Sequence, residues 1–260
     1  MAKIEVGLSM LHCLSSPFRK MTQNVKNAKT ANIELVDDGF HELTKQRIKT
    51  LKEIGQSYNK KYSVHAPFAD INIASPSKQL LKAMLKRLET SIAHANALEA
   101  RVWVFHPGIK TGISMFYPRM DWQRNLQTAN TLAKLAEDCG LKIAIENVPE
   151  PYPFLLKSVQ DFKSFFAEAD KNIGLVLDVG HSNINRQTQL FLETFEKKIV
   201  HVHVHDNSGN EDQHLGVGRG SVNWERLAAS VKRLSQDVVV VVESVEHVDE
   251  SLARVREMLT

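Results

Sequence analysis

The sequence predicts an α/β protein of the (β/α)8 barrel class, and three observations predict it. Eight short runs rich in β-branched residues alternate with stretches of helical periodicity along the 260-residue chain. No Pro- or Gly-rich linker, low-complexity tract or shift of composition interrupts them, so residues 1–260 read as a single domain. Seven of the eight runs end on a carboxylate or an imidazole, at the rim where a barrel of this class collects its reactive groups. A doubly wound open sheet is the competing architecture. It needs a switch point and commonly a Gly-rich first turn, and "EVGLSMLHC" supplies no such turn.

Taken in order, the strands are expected near 3–8, 32–36, 61–65, 101–106, 141–146, 173–178, 199–204 and 238–243. Helices are expected near 19–30, 44–58, 158–171, 188–198, 223–236 and 249–259. Two more are marked by their ends. "SPSKQLLKAMLKRLETSIAHANALEA" offers Ser75 and Pro76 as cap and first turn, and "DWQRNLQTANTLAKLAEDCG" stops on Gly140.

The strand ends carry the chemistry. Glu34 closes the second strand, His65 the third, His106 the fourth, Glu146 the fifth, Asp178 the sixth, His203 the seventh and Glu243 the eighth. One such residue is ordinarily a loop-edge side chain touching water. A structural account of all seven, however, would include Ser, Thr, Asn, Lys or Gly, whereas every one of these can ligate a metal. Carboxylates and imidazoles converging on one point are costly to bury unless a cation neutralises them, and a set of O and N donors without sulfur suits Mn, Zn, Co, Fe or Mg. His181 follows Asp178 in "DVGH", and Asp212 with His214 form an Asp-x-His pair in the loop after the seventh strand.

Strand alternation aims His201, His203 and His205 at one face but at different heights, so they do not share one ion. His203 is the best placed as a ligand, His201 reads as a hydrogen-bonded core histidine, and His205 stands at the mouth or in the loop. His12, His41, His94 and His247 read as structural. Trp103 and Trp224 read as packing residues, and Trp122 with Phe116 and Tyr117 as either a pocket wall or simple loop packing. Gly216, Gly218 and Gly220 in "GVGRG" lack dinucleotide-fingerprint spacing and read as a flexible rim loop.

Composition excludes several classes. The chain is 43% hydrophobic and 24% charged, ordinary for a globular protein. Its longest apolar run, "DVVVVVES", is too short to span a bilayer, and "MAKIEVGLSM" has no secretory apolar core, which reads as a soluble cytoplasmic protein. Cys13 and Cys139 lie far apart, so neither a disulfide framework nor a Cys-rich zinc site is expected. The net charge of +3 is mild and scattered; it permits an anionic substrate without requiring nucleic acid. An oligomer is compatible with the sequence, but the outer helix faces carry no pattern that selects one.

"HAPF", "FHPG", "IEN", "DVGHSN", "HVHDN", "DQHLGVGRGSVNW" and the last "VES" together resemble the xylose-isomerase-like barrel superfamily. That group includes sugar and sugar-phosphate isomerases and epimerases and the endonuclease IV type of abasic-site nuclease. The likeness covers nearly the whole chain. In the isomerase and epimerase branch, the resemblance implies one divalent ion, Mn or Zn, held by Glu146, Asp178, His203 and Glu243. In the nuclease branch it implies a cluster of up to three zinc ions that adds His65, His106, His181, Asp212 and His214. All nine residues are present. The segments after the second and sixth strands, "DDGFHEL" and "SNINRQTQ", are short, however, and no loop rich in Arg and apolar wedges is visible to grip and bend a duplex. The loops favour the branch that takes small sugars or sugar phosphates; nucleic acid is a partner only under the alternative.

In the sugar reading, Glu146 and Glu243 are expected to remove and return a carbon-bound proton through an enediolate stabilised by the ion. His181 is expected to hydrogen-bond a substrate oxygen, and His214 or Arg219 to meet a distal hydroxyl or phosphate. In the nuclease reading the same carboxylates only hold metal, and His65 and His106 become essential ligands.

Overall fold

The computed structural model describes residues 2–259. Eight parallel strands close into one barrel in chain order: β1 (Ile4–Ser9), β2 (Asn32–Val36), β3 (Lys61–His65), β4 (Trp103–Phe105), β5 (Ile143–Glu146), β6 (Gly174–Asp178), β7 (Ile199–Val204) and β8 (Val238–Val242). The seam is made where β1 meets β8, from Ile4 opposite Val238 to Leu8 opposite Val242. Outside lie α1 (Phe18–Asn27), α2 (Lys45–Tyr58), α3 (Lys78–Ala97), α4 (Met120–Asp138), α5 (Val159–Glu168), α6 (Val179–Ile184), α7 (Thr188–Thr194), α8 (Trp224–Val231) and α9 (Val248–Leu259).

The alternation of side chains along each strand makes the two layers of core. Trp103 and Phe105 point outward, stack at 5.4 Å and join the large apolar cluster under the helices. Trp103 Nε1 donates to Ser91 Oγ of α3 at 2.9 Å, a packing role. A separate cluster of Val102, Val104, Ala144 and Val176 lies on the opposite face of the same strands. Two residues further along these strands come His106, Glu146 and Asp178. The apolar layer is thus the floor beneath the polar rim.

Local chemistry sets the element ends. Ser158 and Asp161 form a reciprocal capping box that starts α5. The helix α3 is capped by Ser77, not by Ser75 with Pro76 at its first turn as the sequence suggested, because the Ser77 hydroxyl is the one that accepts from Leu80 N. Helix α6 was not expected. Asp178 ends β6 and also caps α6, accepting from His181 N at 2.6 Å, so the chain turns into a helix at once and carries His181 over the barrel mouth. β2 continues past Glu34 to Val36, which pairs with His65. Glu34 therefore does not close its strand. It lies deeper, fully buried inside the barrel.

Candidate active site

Glu146, wholly buried at the end of β5, is the hub of the mouth. Its Oε1 is 3.1 Å from His203 Nδ1 and 3.6 Å from His181 Nδ1, while its Oε2 is 3.3 Å from both His65 Nε2 and His106 Nε2. His203 Nδ1 is also 3.6 Å from Glu243 Oε2 and 4.0 Å from Asp178 Oδ2. Three groups of ligand-bearing atoms result, each drawn to within 4.8 Å: Glu146, Asp178, His203 and Glu243; His65, His106 and Glu146; and His181, His205, Asp212 and His214. A fourth lies deeper, made of Glu34, His201 and His203. All nine residues singled out as ligands from sequence stand in the upper three groups. Glu34 does not.

The histidines are oriented from behind. His65 Nδ1 lies 2.9 Å from Ala66 O, His181 Nδ1 2.8 Å from Asn147 O, and His214 Nδ1 3.0 Å from Glu243 O. A carbonyl oxygen only accepts, so each Nδ1 carries the proton and each Nε2 faces the cluster. His203 is turned the other way. Its Nε2 donates to Glu34 Oε2 at 3.2 Å, and its Nδ1 faces the carboxylates. Asn147 ties the fifth and sixth strand ends together, accepting from Asp178 N at 2.8 Å and donating to Asp178 O at 3.1 Å. Its role went unread in the sequence, although it sits inside the "IEN" motif.

This donor set fits a divalent cation. The outer nitrogen of each of these imidazoles is anchored to an oxygen, as metal-binding histidines are, and the buried Asp178 Oδ2 has no hydrogen-bond partner. Without a cation, protons take its place. Burial works against charge on His65, His181 and His214, yet the carboxylates around them push the first up to about 9, the second up to about 10 and the third up to about 9. Burial raises Glu146, but the charge of His203 and the bonds from His106, His203 and His65 hold it well below the usual carboxylate range. Glu243 goes the other way. Burial, resisted by His203 and reinforced by Glu34 and Glu146, pushes it up to about 7.

His205, whose place the sequence left open, is fully buried, and its Nε2 lies 3.2 Å from Asp178 Oδ1 and 3.6 Å from Asp212 Oδ1. Its ring stacks on His214 at 3.8 Å and fills the space a side chain would take at Gly180, where a Cβ would stand 2.0 Å from His205 Cε1. His201 is the core histidine expected, buried and donating Nε2 to Glu34 at 2.9 Å.

Above the cluster opens a cavity of about 990 Å³, reached by His65, His106, Glu146, His181, Asp212, His214 and Glu243. His12, read from sequence as structural, lines it as well. Arg219 does not. Its guanidinium pairs with Glu250 at 3.0 Å on the surface, so it is not placed to meet a distal phosphate. The glycines of "GVGRG" are also outside the cavity, in a loop folded around buried Asp206, which accepts from Gly218 N, Val222 N and Trp224 Nε1. Phe116 and Tyr117 are exposed, and Trp122 Nε1 donates to Glu168, so these three form no wall of this cavity.

Fold and sequence agree on the class: the chain belongs to the xylose isomerase-like TIM barrel family, whose profile matches residues 23–259. Within it, the chain is 30% identical over 245 residues to an uncharacterized protein of Methanocaldococcus jannaschii, covering 93% of this chain and 84% of that one. It is 24% identical over 188 residues to the D-psicose 3-epimerase of Ruminiclostridium cellulolyticum, covering 69% of this chain and 61% of the enzyme. Among solved structures it resembles a D-tagatose 3-epimerase-like protein, with a TM-score of 0.88 and 28% identity across 98% of this chain and 100% of that one. Its relatives therefore include sugar epimerases. Among the described residues no helix is long and apolar enough to cross a membrane.

Proposed function

We propose that the protein is a divalent-metal-dependent isomerase or epimerase of a small sugar. The observation that carries this reading is the pairing of two buried carboxylates, Glu146 and Glu243, with His203 Nδ1 at 3.1 Å and 3.6 Å under an open cavity. The likeness to sugar 3-epimerases supports it. Glu146, Asp178, His203 and Glu243 would hold the cation, Mn or Zn, whose chemistry when bound is Lewis acidity toward adjacent carbonyl and hydroxyl oxygens.

The chain's own residues carry the proton. The hydrogen on the carbon beside a carbonyl moves to one carboxylate, and the other carboxylate returns a proton to that carbon from the opposite side. General base catalysis of this kind contributes about 10²–10⁴-fold. His181, whose Nδ1 is committed to Asn147 O, turns Nε2 to the mouth, where it donates to Asp212 Oδ2 at 3.2 Å and where a substrate oxygen would share or replace that contact. His214 is held in the same manner and stands beside Asp212 at 3.4 Å.

The test is solvent-deuterium incorporation into D-psicose, D-tagatose and D-fructose by protein loaded with Mn or Zn. Glu146→Gln and Glu243→Gln are expected to abolish exchange, and exchange retained in either variant sinks its assignment as base or acid.

A second reading, abasic-site endonuclease with up to three zinc ions, is favoured by one observation: the groups built on His65 with His106 and on His181, Asp212 and His214 flank the central one. Against it stands the cavity wall, to which no Lys or Arg among the described residues contributes. His106→Ala separates the two readings, since it abolishes a multi-metal hydrolase and only weakens a one-metal epimerase.

A further inference from the structure

The cavity is chemically divided. One side is the cluster of imidazoles and carboxylates carried by strands β3 to β8. The other is mostly apolar and comes from the end of β2 and from loops after β1, β2, β3 and β8: Leu11, Leu14, Val36, Phe40, Phe68 and Val245, with His12 and Ser15 as its polar members. Phe40 is 64% exposed and Val245 47% exposed, so folding leaves apolar surface uncovered at the mouth, where it is available to a ligand.

The wall lacks what an anion needs. Phosphate is held by guanidinium, ammonium or convergent backbone N–H groups. Among the described residues no Lys or Arg lines the cavity, and Arg219 is engaged by Glu250 outside it. A phosphate on the far end of the sugar would face six apolar side chains with only Ser15 and His12 beside them. Burial pulls the His12 pKa down while its Nδ1 donates to Ser9 O, so the lost water of a dianion is not compensated. A free hexose, hydroxylated along its whole length, would leave the same wall unused. At about 990 Å³ the cavity is also at the upper end of small-molecule sites.

We propose that the substrate is an uncharged keto sugar bearing an apolar alkyl or aryl substituent at the end remote from its carbonyl. The inference rests on the sugar isomerase reading above and adds the specificity of the second wall. The carbonyl end meets the carboxylates, and the substituent lies against Phe40, Phe68 and Val245. The reaction is unchanged: one C–H bond beside the carbonyl breaks, its proton passes to a carboxylate, and a proton returns to the same carbon. No electrons are exchanged with a co-reactant. Each methylene-sized group that the wall removes from water strengthens binding about fourfold.

The experiment uses three ketoses that share their reacting end: D-fructose, D-fructose 6-phosphate and 6-O-benzyl-D-fructose. Dissociation constants are measured by calorimetry on metal-loaded protein, and deuterium incorporation is followed in parallel. The benzyl ether is expected to bind at least about tenfold more tightly than fructose, and the phosphate more weakly than fructose. Phe40→Ser, at an exposed position that tolerates the change, is expected to shrink the ratio of benzyl to free sugar severalfold. Tightest binding of the phosphate, or equal binding of benzyl ether and fructose, overturns the inference. Binding in the expected order with no exchange overturns the reaction and leaves the apolar specificity standing, and binding of none of the three overturns both.

Discussion

Glu34→Gln should destabilise the metal-free protein by about 3 kcal/mol, because it removes the buried carboxylate that His201 and His203 share beneath the mouth. Glu34 is fully buried and accepts from His201 Nε2 at 2.9 Å, from His203 Nε2 at 3.2 Å and from Ser63 Oγ at 3.4 Å. Burial by itself raises its pKa, yet the charge of His203 and the bonds from both histidines hold it well below the usual carboxylate range. Glutamine keeps the shape, but one of its two terminal atoms becomes a donor facing a donor. A bond to a charged partner is worth about 1.5–3 kcal/mol, and leaving one half of a buried pair costs about 3–5 kcal/mol. His201, whose pKa burial pulls down, can present an unprotonated Nε2 to the new amide. One contact is thereby recovered, and the lower end of the range applies. For a chain of this size the cost lowers Tm by about 6–12 °C. The same change frees the outer nitrogen of His203, and zinc affinity should fall about 10–100-fold. Thermal and denaturant unfolding of metal-free protein, with zinc titration alongside, reads both effects. A Tm within about 2 °C of wild type together with unchanged zinc affinity would refute the reasoning.

Three further outcomes are expected. Zinc uptake at Glu146, Asp178, His203 and Glu243 must displace the proton of His203, which burial works against but Glu243, Glu34 and Glu146 hold well above the ordinary imidazole range, and that of Glu243, held up to about 7, so affinity weakens as pH falls from 8 toward 6. Calorimetry in two buffers of different ionisation enthalpy should show proton release, and a heat independent of buffer contradicts this. Gly180→Ala places a methyl 2.0 Å from the His205 ring and should cost about 1–3 kcal/mol while displacing His205, read by denaturation and by the histidine NMR signals. Asp206→Asn loses the charged acceptor for Trp224 Nε1, Gly218 N and Val222 N, so the 206–222 loop should loosen; faster proteolysis there and a shifted Trp emission are the readouts.

Much of this was legible in the sequence because a parallel barrel repeats one pattern. All eight strands fall where β-branched runs were found, since a strand buried on both faces leaves a dense apolar signal. Glu34 was misplaced because the last polar residue of the 32–36 run is not its end: Leu35 and Val36 follow it in the strand, and Val36 pairs with His65, so Glu34 points into the barrel two residues below the rim. Helix α6 spans only Val179–Ile184, too short for a period to register, though the Asp178 cap was in plain view. The surface ion pair of Arg219 with Glu250 was not legible either, since a sequence does not show which partner a loop arginine finds. The apolar wall was illegible for a deeper reason. Leu11, Phe40, Phe68 and Val245 come from four separate loops, and only closure of the barrel puts them side by side.

One preparation of zinc- or manganese-loaded protein, assayed in D2O for hydrogen exchange into a ketose and in parallel for scission of a duplex with a single abasic site, tests the central claim most directly. The account predicts exchange that disappears in Glu146→Gln, with the duplex left intact. Metal-dependent cutting that disappears in the same variant, without exchange into any ketose, would contradict it and make the protein a phosphodiesterase.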